Sequence, residues 1–145
     1  MFKLYVDSEG DDDYLPLANS PSIRIHGATA DAIVVNAPAE AVAGQPVLVT
    51  AWLRDKFANP ATGFTGTLRL ESDDPKIQLP SPYKFSAGDA SRHRFEGIVF
   101  PNPGTYRLRV IQTDASLRGA SGPIRVHANL PEQRVYWGDI HTHTS

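Results

Sequence analysis

Cysteine is absent from this sequence, which excludes disulfide bridges and metal sites built from thiolates. An excess of charge is also missing, because 14 lysines and arginines stand against 16 aspartates and glutamates, a formal net charge of −2. That balance gives no electrostatic basis for binding nucleic acid or an anionic membrane, and we expect neither partner. No apolar run approaches the length of a membrane-spanning helix, and the N-terminus lacks the apolar core of a signal peptide. The sequence does not indicate the cellular compartment.

Sustained helical periodicity is missing as well, and 12 prolines and 11 glycines are spread along the chain. Short alternating apolar segments between proline-glycine turns are typical of an all-β sandwich. The predicted strands lie at 23–26, 33–35, 47–54, 64–71, 77–79, 83–85, 92–99, 105–110 and 124–126. Segment 47–54 is expected at the centre of the sheet, with Trp52 as a core aromatic residue. In segment 92–99 strict alternation places His93, Phe95, Gly97 and Val99 on one face.

Two stretches carry a resemblance to a known fold. The turn Ala43-Gly44-Gln45-Pro46 followed by an alternating strand, and Pro103-Gly104-Thr105-Tyr106 ahead of another, resemble bacterial immunoglobulin-like or filamin-type modules. The resemblance implies an antiparallel immunoglobulin-like β-sandwich over residues 22–128. Because such modules serve many unrelated roles, the resemblance bears on the fold and not on the function.

Residues 1–21 precede the predicted sandwich. A short strand over 2–6 leads into an acidic run from Asp7 to Asp13, and a linker-like stretch follows from Leu15 to Pro21. Acidic residues at alternate positions are also found in calcium loops, but here the glycine is misplaced and no closing bidentate glutamate follows. A solvated acidic turn is the favoured interpretation, with a calcium site as the alternative.

The C-terminal segment, residues 129–145, contains a linker and then Tyr136-Trp137-Gly138-Asp139-Ile140-His141-Thr142-His143-Thr144. In a strand His141 and His143 share a face, with Cα atoms roughly 6.6 Å apart, so two imidazoles can converge on one cation. Neutral imidazole is a common ligand of transition metals at neutral pH. This spacing therefore indicates the opening of a metal site at His141 and His143, with a frayed polar tail as the alternative.

This motif resembles the opening motif of the PHP (polymerase and histidinol phosphatase) superfamily of metal-dependent hydrolases, with Ile140 in place of the usual leucine. The resemblance implies that the motif ends the first strand of a distorted (β/α) barrel. It also implies that His141 and His143 are metal ligands and that Asp139 orients a histidine or the strand end. The implied chemistry is zinc, manganese or iron that activates water against a phosphoester or related bond.

A catalytic ion of this kind needs at least three protein ligands, and the motif supplies two. We therefore expect this chain alone to be inactive and to bind no metal tightly. On this interpretation it is a truncated piece, an accessory domain whose main partner is the barrel of the same polypeptide. Self-association is left open.

The alternative function is a stand-alone immunoglobulin-like binding or adhesion module whose histidine-bearing tail is incidental. The remaining histidines do not discriminate between the two functions. His26, His93 and His127 alternate within predicted strands and are expected to be surface or boundary residues.

Overall fold

Short strands dominate the structure, a computed structural model that describes residues 5–7, 9–16, 27–114 and 116–129. The strands are β1 (Tyr5–Val6), β2 (Leu15–Pro16), β3 (Ala32–Asn36), β4 (Glu40–Val42), β5 (Pro46–Arg54), β6 (Thr67–Ser72), β7 (Tyr83–Lys84), β8 (Arg92–Val99), β9 (Gly104–Tyr106), β10 (Leu108–Gln112), β11 (Arg118–Ala120) and β12 (Ile124–His127). A 3-10 turn spans Ala87–Asp89. No helix in this described part is long and apolar enough to cross a membrane.

The strands form the two layers of an immunoglobulin-like sandwich, as the sequence predicts. One layer is an antiparallel sheet in the order β3-β5-β8. The other contains β11-β10-β6-β7, and β4-β12-β9 continues it, since β9 runs into β10 and β11 into β12. Within this second layer β4 pairs with β12 in parallel, whereas the other strand pairs are antiparallel.

One hydrophobic core fills the space between the layers. The first layer contributes Leu53 and Phe95, and the second contributes Leu68 and Leu108, each at most 1% exposed. Full burial of one such side chain contributes about 1.5–3 kcal/mol to folding. The alternation of apolar residues in the sequence predicts most of this core, because it sets the faces of β5, β6 and β10.

Trp52 is not the core aromatic residue that we predicted. It lies on the outer face of β5 and is half-buried, while Arg92 of the neighbouring strand lies over its ring, 5.1 Å from the centroid. Since β5 buries Val49 and Leu53 completely, alternation must direct Trp52 away from the core. The fully buried aromatic residues come from β8 and the residue after it, Phe95 and Phe100.

The strict alternation predicted for segment 92–99 is also wrong. Gly97 has a φ of +74°, and the register with β5 shifts there, so that Val49 pairs with Phe95 but Val47 pairs with Ile98. Two residues of β8 therefore face one residue of β5, which is a β-bulge. The bulge turns both Phe95 and Ile98 into the core.

The late predicted strand is divided in two by Arg107, which separates β9 from β10. Ser121 bridges the interruption: its Oγ accepts the N–H of Leu108 at 3.0 Å, and its own N–H donates to the Leu108 carbonyl at 2.8 Å. Ser121 is 2% exposed, so its hydroxyl replaces a missing backbone acceptor inside the protein.

Three further predicted segments differ from the structure. Segment 77–79 contributes only an isolated bridge between Gln78 and Val99, and β6 begins at Thr67 rather than at residue 64. The linker-like stretch begins with β2, which pairs with β1 in an antiparallel hairpin. The predicted strand at 23–26 lies outside the described residues.

Candidate functional site

The predicted metal ligands His141 and His143, and the supporting Asp139, lie outside the described residues. The last described strand before the motif is β12, which ends at His127. Eight residues separate His127 from Tyr136, where the motif begins. Among the described residues, no three histidine, cysteine, aspartate or glutamate side chains cluster closely enough to hold a metal ion.

The end of β12 is held on both sides. Strand β9 pairs with it antiparallel and β4 pairs with it in parallel, and the His127 carbonyl accepts the N–H of Ala43 at 2.9 Å. The His127 side chain is half-buried, a boundary position as predicted. Its Nε2 lies 3.5 Å from Glu40 Oε1 without hydrogen-bond geometry, and it has no other partner in the described part of the protein.

The acidic run forms the tip of the β1–β2 hairpin, and Asp7 organises it. One Asp7 oxygen accepts backbone N–H groups of Glu9, Gly10 and Asp11, and the other accepts that of Asp12, at 2.6–3.3 Å. Burial alone would raise the pKa of Asp7, but these N–H groups together hold it below its ordinary value. A carboxylate saturated by its own backbone favours the solvated turn over the calcium alternative.

His93 lies between the two layers, in a cluster that contains aromatic rings and ionisable side chains. Its ring stacks on Tyr83 at 3.4 Å and 8°, and it meets the edge of Phe95 at 4.7 Å. The Tyr83 hydroxyl donates to Asp89 Oδ1 at 3.0 Å. Burial lowers the pKa of His93, although the carboxylates of Asp89 and Glu96 oppose this shift. His93 is half-buried, which agrees with the predicted boundary position.

This cluster does not have the arrangement of a catalytic site. The hydrogen bond to Asp89 raises the pKa of Tyr83, so the phenol remains protonated at neutral pH. The backbone N–H of Ser86, with smaller contributions from Tyr83 and His93, lowers the pKa of Asp89. Because the stacked rings of His93 and Tyr83 join β8 to β7 across the two layers, we assign the cluster to holding the layers together.

Asp55 is a residue whose role the sequence analysis missed. It is 4% exposed, and its carboxylate accepts backbone N–H groups of Ala28, Phe57 and Asn59, each at 2.9 Å. The N–H of Ala28 is the main reason that the pKa of Asp55 lies below its ordinary value. Asp55 therefore ties the segment ahead of β3 to the loop after β5. An aspartate four residues before Asn59-Pro60 was the available signal.

An open cleft of about 710 Å³ lies at the same end of the sandwich. It runs between the segment ahead of β3, the loop before β6 and the β10–β11 turn, with Phe64, Gln112 and Leu117 in its wall. The polar groups of the turn bond to one another, since Ser116 donates to Gln112 Oε1 at 3.0 Å. The lining residues that the structure describes include no charged side chain, so they offer no acid–base pair.

Comparison with known proteins supports the fold. No family model and no curated protein matches the chain. Part of a β-glycosidase from Bacteroides vulgatus is similar to it, with a TM-score of 0.56 and 12% identity over 69% of this chain and 14% of that one. At that identity the likeness shows the fold alone, and this chain spans only a small part of the glycosidase.

Two further solved structures resemble the chain more weakly. A superoxide reductase (neelaredoxin) from Ignicoccus hospitalis has a TM-score of 0.46 and 16% identity over 69% of this chain and 83% of that one. The PKD domain of an M14-like peptidase from a Thermoplasmatales archaeon has a TM-score of 0.38 and 14% identity over 73% of this chain and 99% of that one. Nothing in these comparisons supports the PHP superfamily specifically.

Proposed function

We propose that this chain is the N-terminal accessory immunoglobulin-like domain of a metal-dependent hydrolase of the PHP type, joined to the first strand of its catalytic barrel. The observation that carries the proposal is the motif itself: an aromatic residue, Gly138, Asp139, His141, His143 and Thr144 follow the last sandwich strand after a short linker. The described sandwich has no metal-ligand cluster of its own. The proposed chemistry therefore depends on the motif and on residues beyond those given.

In this proposal His141 and His143 bind a divalent zinc, manganese or iron ion through neutral imidazoles, and Asp139 orients one of them. Such an ion, when bound, would lower the pKa of a water ligand toward neutrality and so supply hydroxide for attack on a phosphoester. Since two histidines do not complete a catalytic ion's coordination, the remaining ligands would come from the barrel. These 145 residues alone are expected to be inactive.

The sandwich would act by fixing where the barrel begins. Eight residues separate His127 from Tyr136, and eight extended residues reach at most about 28 Å. Because β4 and β9 hold both edges of β12, the barrel would start close to this end of the sandwich. That end carries the turn containing Gly44, whose N–H donates to the Phe100 carbonyl at 2.9 Å. We expect the barrel to pack there.

The proposal is tested on the natural polypeptide by metal analysis and by hydrolysis of a phosphodiester and a phosphomonoester. We expect bound zinc, manganese or iron, and phosphoesterase activity. His141→Ala and His143→Ala should each abolish activity and lower metal content, whereas the control His26→Ala should change neither.

A protein that binds no metal, or whose activity survives both substitutions, would contradict the proposal. The stand-alone binding or adhesion module would then be the better interpretation.

A further inference from the structure

The outer surfaces of the two layers differ in how their charges are paired. On the second layer Arg69 contacts Glu71 and Arg109 contacts Asp73, each at 2.6 Å. Arg109 also lies opposite Glu71 in the register of β10 and β6. The first pair lies within β6 and the second joins β10 to the end of β6, so the centre of this surface is charge-paired, as suits a solvated sheet face.

The outer surface of the first layer is basic and partly apolar instead. Val34, Trp52 and Arg92 lie side by side across β3, β5 and β8, and Arg94 and Arg54 lie in the adjacent rows. We call these five residues the arginine–tryptophan face. Its three arginines are exposed, and Val34 is 44% exposed.

The arginines of this face have no carboxylate partner within 4.0 Å among the described residues. Arg54 donates to the Ala58 carbonyl at 2.9 Å, and Arg92 lies over the ring of Trp52. Glu96 follows Arg94 on the same strand, next to the bulge. The three arginines and the neighbouring Glu96 together give this surface a net positive charge, which attracts carboxylates.

The β1–β2 hairpin, residues 5–16, has the complementary chemistry, and we call it the acidic hairpin. It contains five carboxylates and no lysine or arginine. Four of its large apolar side chains are exposed: Tyr5 by 53%, Val6 by 44%, Tyr14 by 59% and Leu15 by 59%. A two-stranded hairpin is marginally stable in water by itself, so one that exposes its apolar residues gains stability from a partner surface.

We propose that the acidic hairpin of one copy docks on the arginine–tryptophan face of a second copy, and that the exchange is reciprocal. Each copy presents one hairpin and one face, so two copies satisfy both surfaces and close the assembly as a two-fold dimer. Carboxylates of the hairpin tip pair with the arginines, while Tyr14 and Leu15 cover Trp52 and Val34. Both surfaces are exposed in the described part of a single chain, so a second copy can cover them. The inference does not depend on the proposed hydrolase.

Two charge-reversed variants test the exchange. One carries Asp11→Lys, Asp12→Lys and Asp13→Lys in the hairpin, and the other carries Arg92→Glu and Arg94→Glu on the face. Sedimentation velocity over a concentration series should show a dimer for the unaltered chain. Each variant alone should dissociate at least about tenfold more readily. An equimolar mixture of the two should dimerise again, since both of its contacts then join opposite charges.

The matched control reverses arginines on the other layer, with Arg107→Glu and Arg118→Glu, and should leave the dimer intact. Thermal unfolding of every variant checks that the sandwich is folded. The proposal is overturned if the unaltered chain is monomeric at all concentrations. It is also overturned if the charge-reversed variants dimerise as tightly as the unaltered chain. If the variants change hairpin protection from proteolysis while all samples stay monomeric, the hairpin docks on its own chain and the second copy is excluded.

Discussion

Replacing Ser121 with alanine tests how the interrupted second layer is held together. The Ser121 hydroxyl is the acceptor for the buried N–H of Leu108, at 3.0 Å. Ser121→Ala leaves that N–H without a partner in a site where Ser121 is only 2% exposed. An unsatisfied buried donor costs about 1–3 kcal/mol. In a sandwich of about 100 residues, each kcal/mol lowers Tm by about 4–8 °C.

We therefore expect Ser121→Ala to lower Tm by about 4 °C at least, measured by differential scanning calorimetry. Ser116→Ala is the matched control, because the Ser116 hydroxyl also forms hydrogen bonds, donating to Gln112 and Asp114, but is exposed. Its effect should stay within about 0.5 kcal/mol. If the two substitutions lower Tm equally, or if Ser121→Ala has no effect, the hydroxyl does not bridge the break between β9 and β10.

Three further predictions concern the contacts between the layers. Burial lowers the pKa of His93 in the folded protein, so the stability that the neutral ring contributes is fully present above about pH 6.5 and is lost as the pH falls through the lowered pKa. His93→Phe should therefore reduce the fall in Tm between neutral and mildly acidic pH. An unchanged pH profile would refute this. Phe95→Ala should cost about 3–5 kcal/mol by urea unfolding, and Trp52→Ala clearly less, because Trp52 is half-exposed; equal costs would place Trp52 in the core after all. Gly119→Ala should destabilise the protein, since a Cβ there would lie 2.3 Å from the Ile33 carbonyl oxygen, and an unchanged Tm would contradict that close approach.

Much of the sandwich could be predicted because its signals are local. Alternation in β6 and β10 assigns the inner face residue by residue, and proline-glycine turns mark most strand ends. The central position of β5 between β3 and β8 is confirmed. These features depend only on the two-residue alternation of side chains along a strand, which can be read from the sequence.

The errors arise where tertiary structure overrides the period. Gly97 looks like an ordinary strand residue, and only the pairing with β5 shows that it forms a bulge. Trp52 is predicted in the core because both faces of segment 47–54 carry apolar residues, and only the burial of Val49 and Leu53 shows which face is the inner one. Ser121 acts on a backbone group distant in sequence, which no local pattern reveals, and the local signal for Asp55 ahead of Asn59-Pro60 does not indicate its bond to Ala28. The role of Asp139, His141 and His143 stays a prediction, because these residues lie outside the described part of the chain.

The mass of the natural polypeptide is the most direct test of the central proposal. The residues given amount to 15.8 kDa. If they are the accessory domain and first barrel strand of a metal-dependent hydrolase, intact-mass spectrometry of the protein from its source should give a product several hundred residues larger. Metal analysis of the same sample should find a bound divalent transition metal. An intact mass of 15.8 kDa without metal would contradict the proposal, because two histidines cannot complete a catalytic centre.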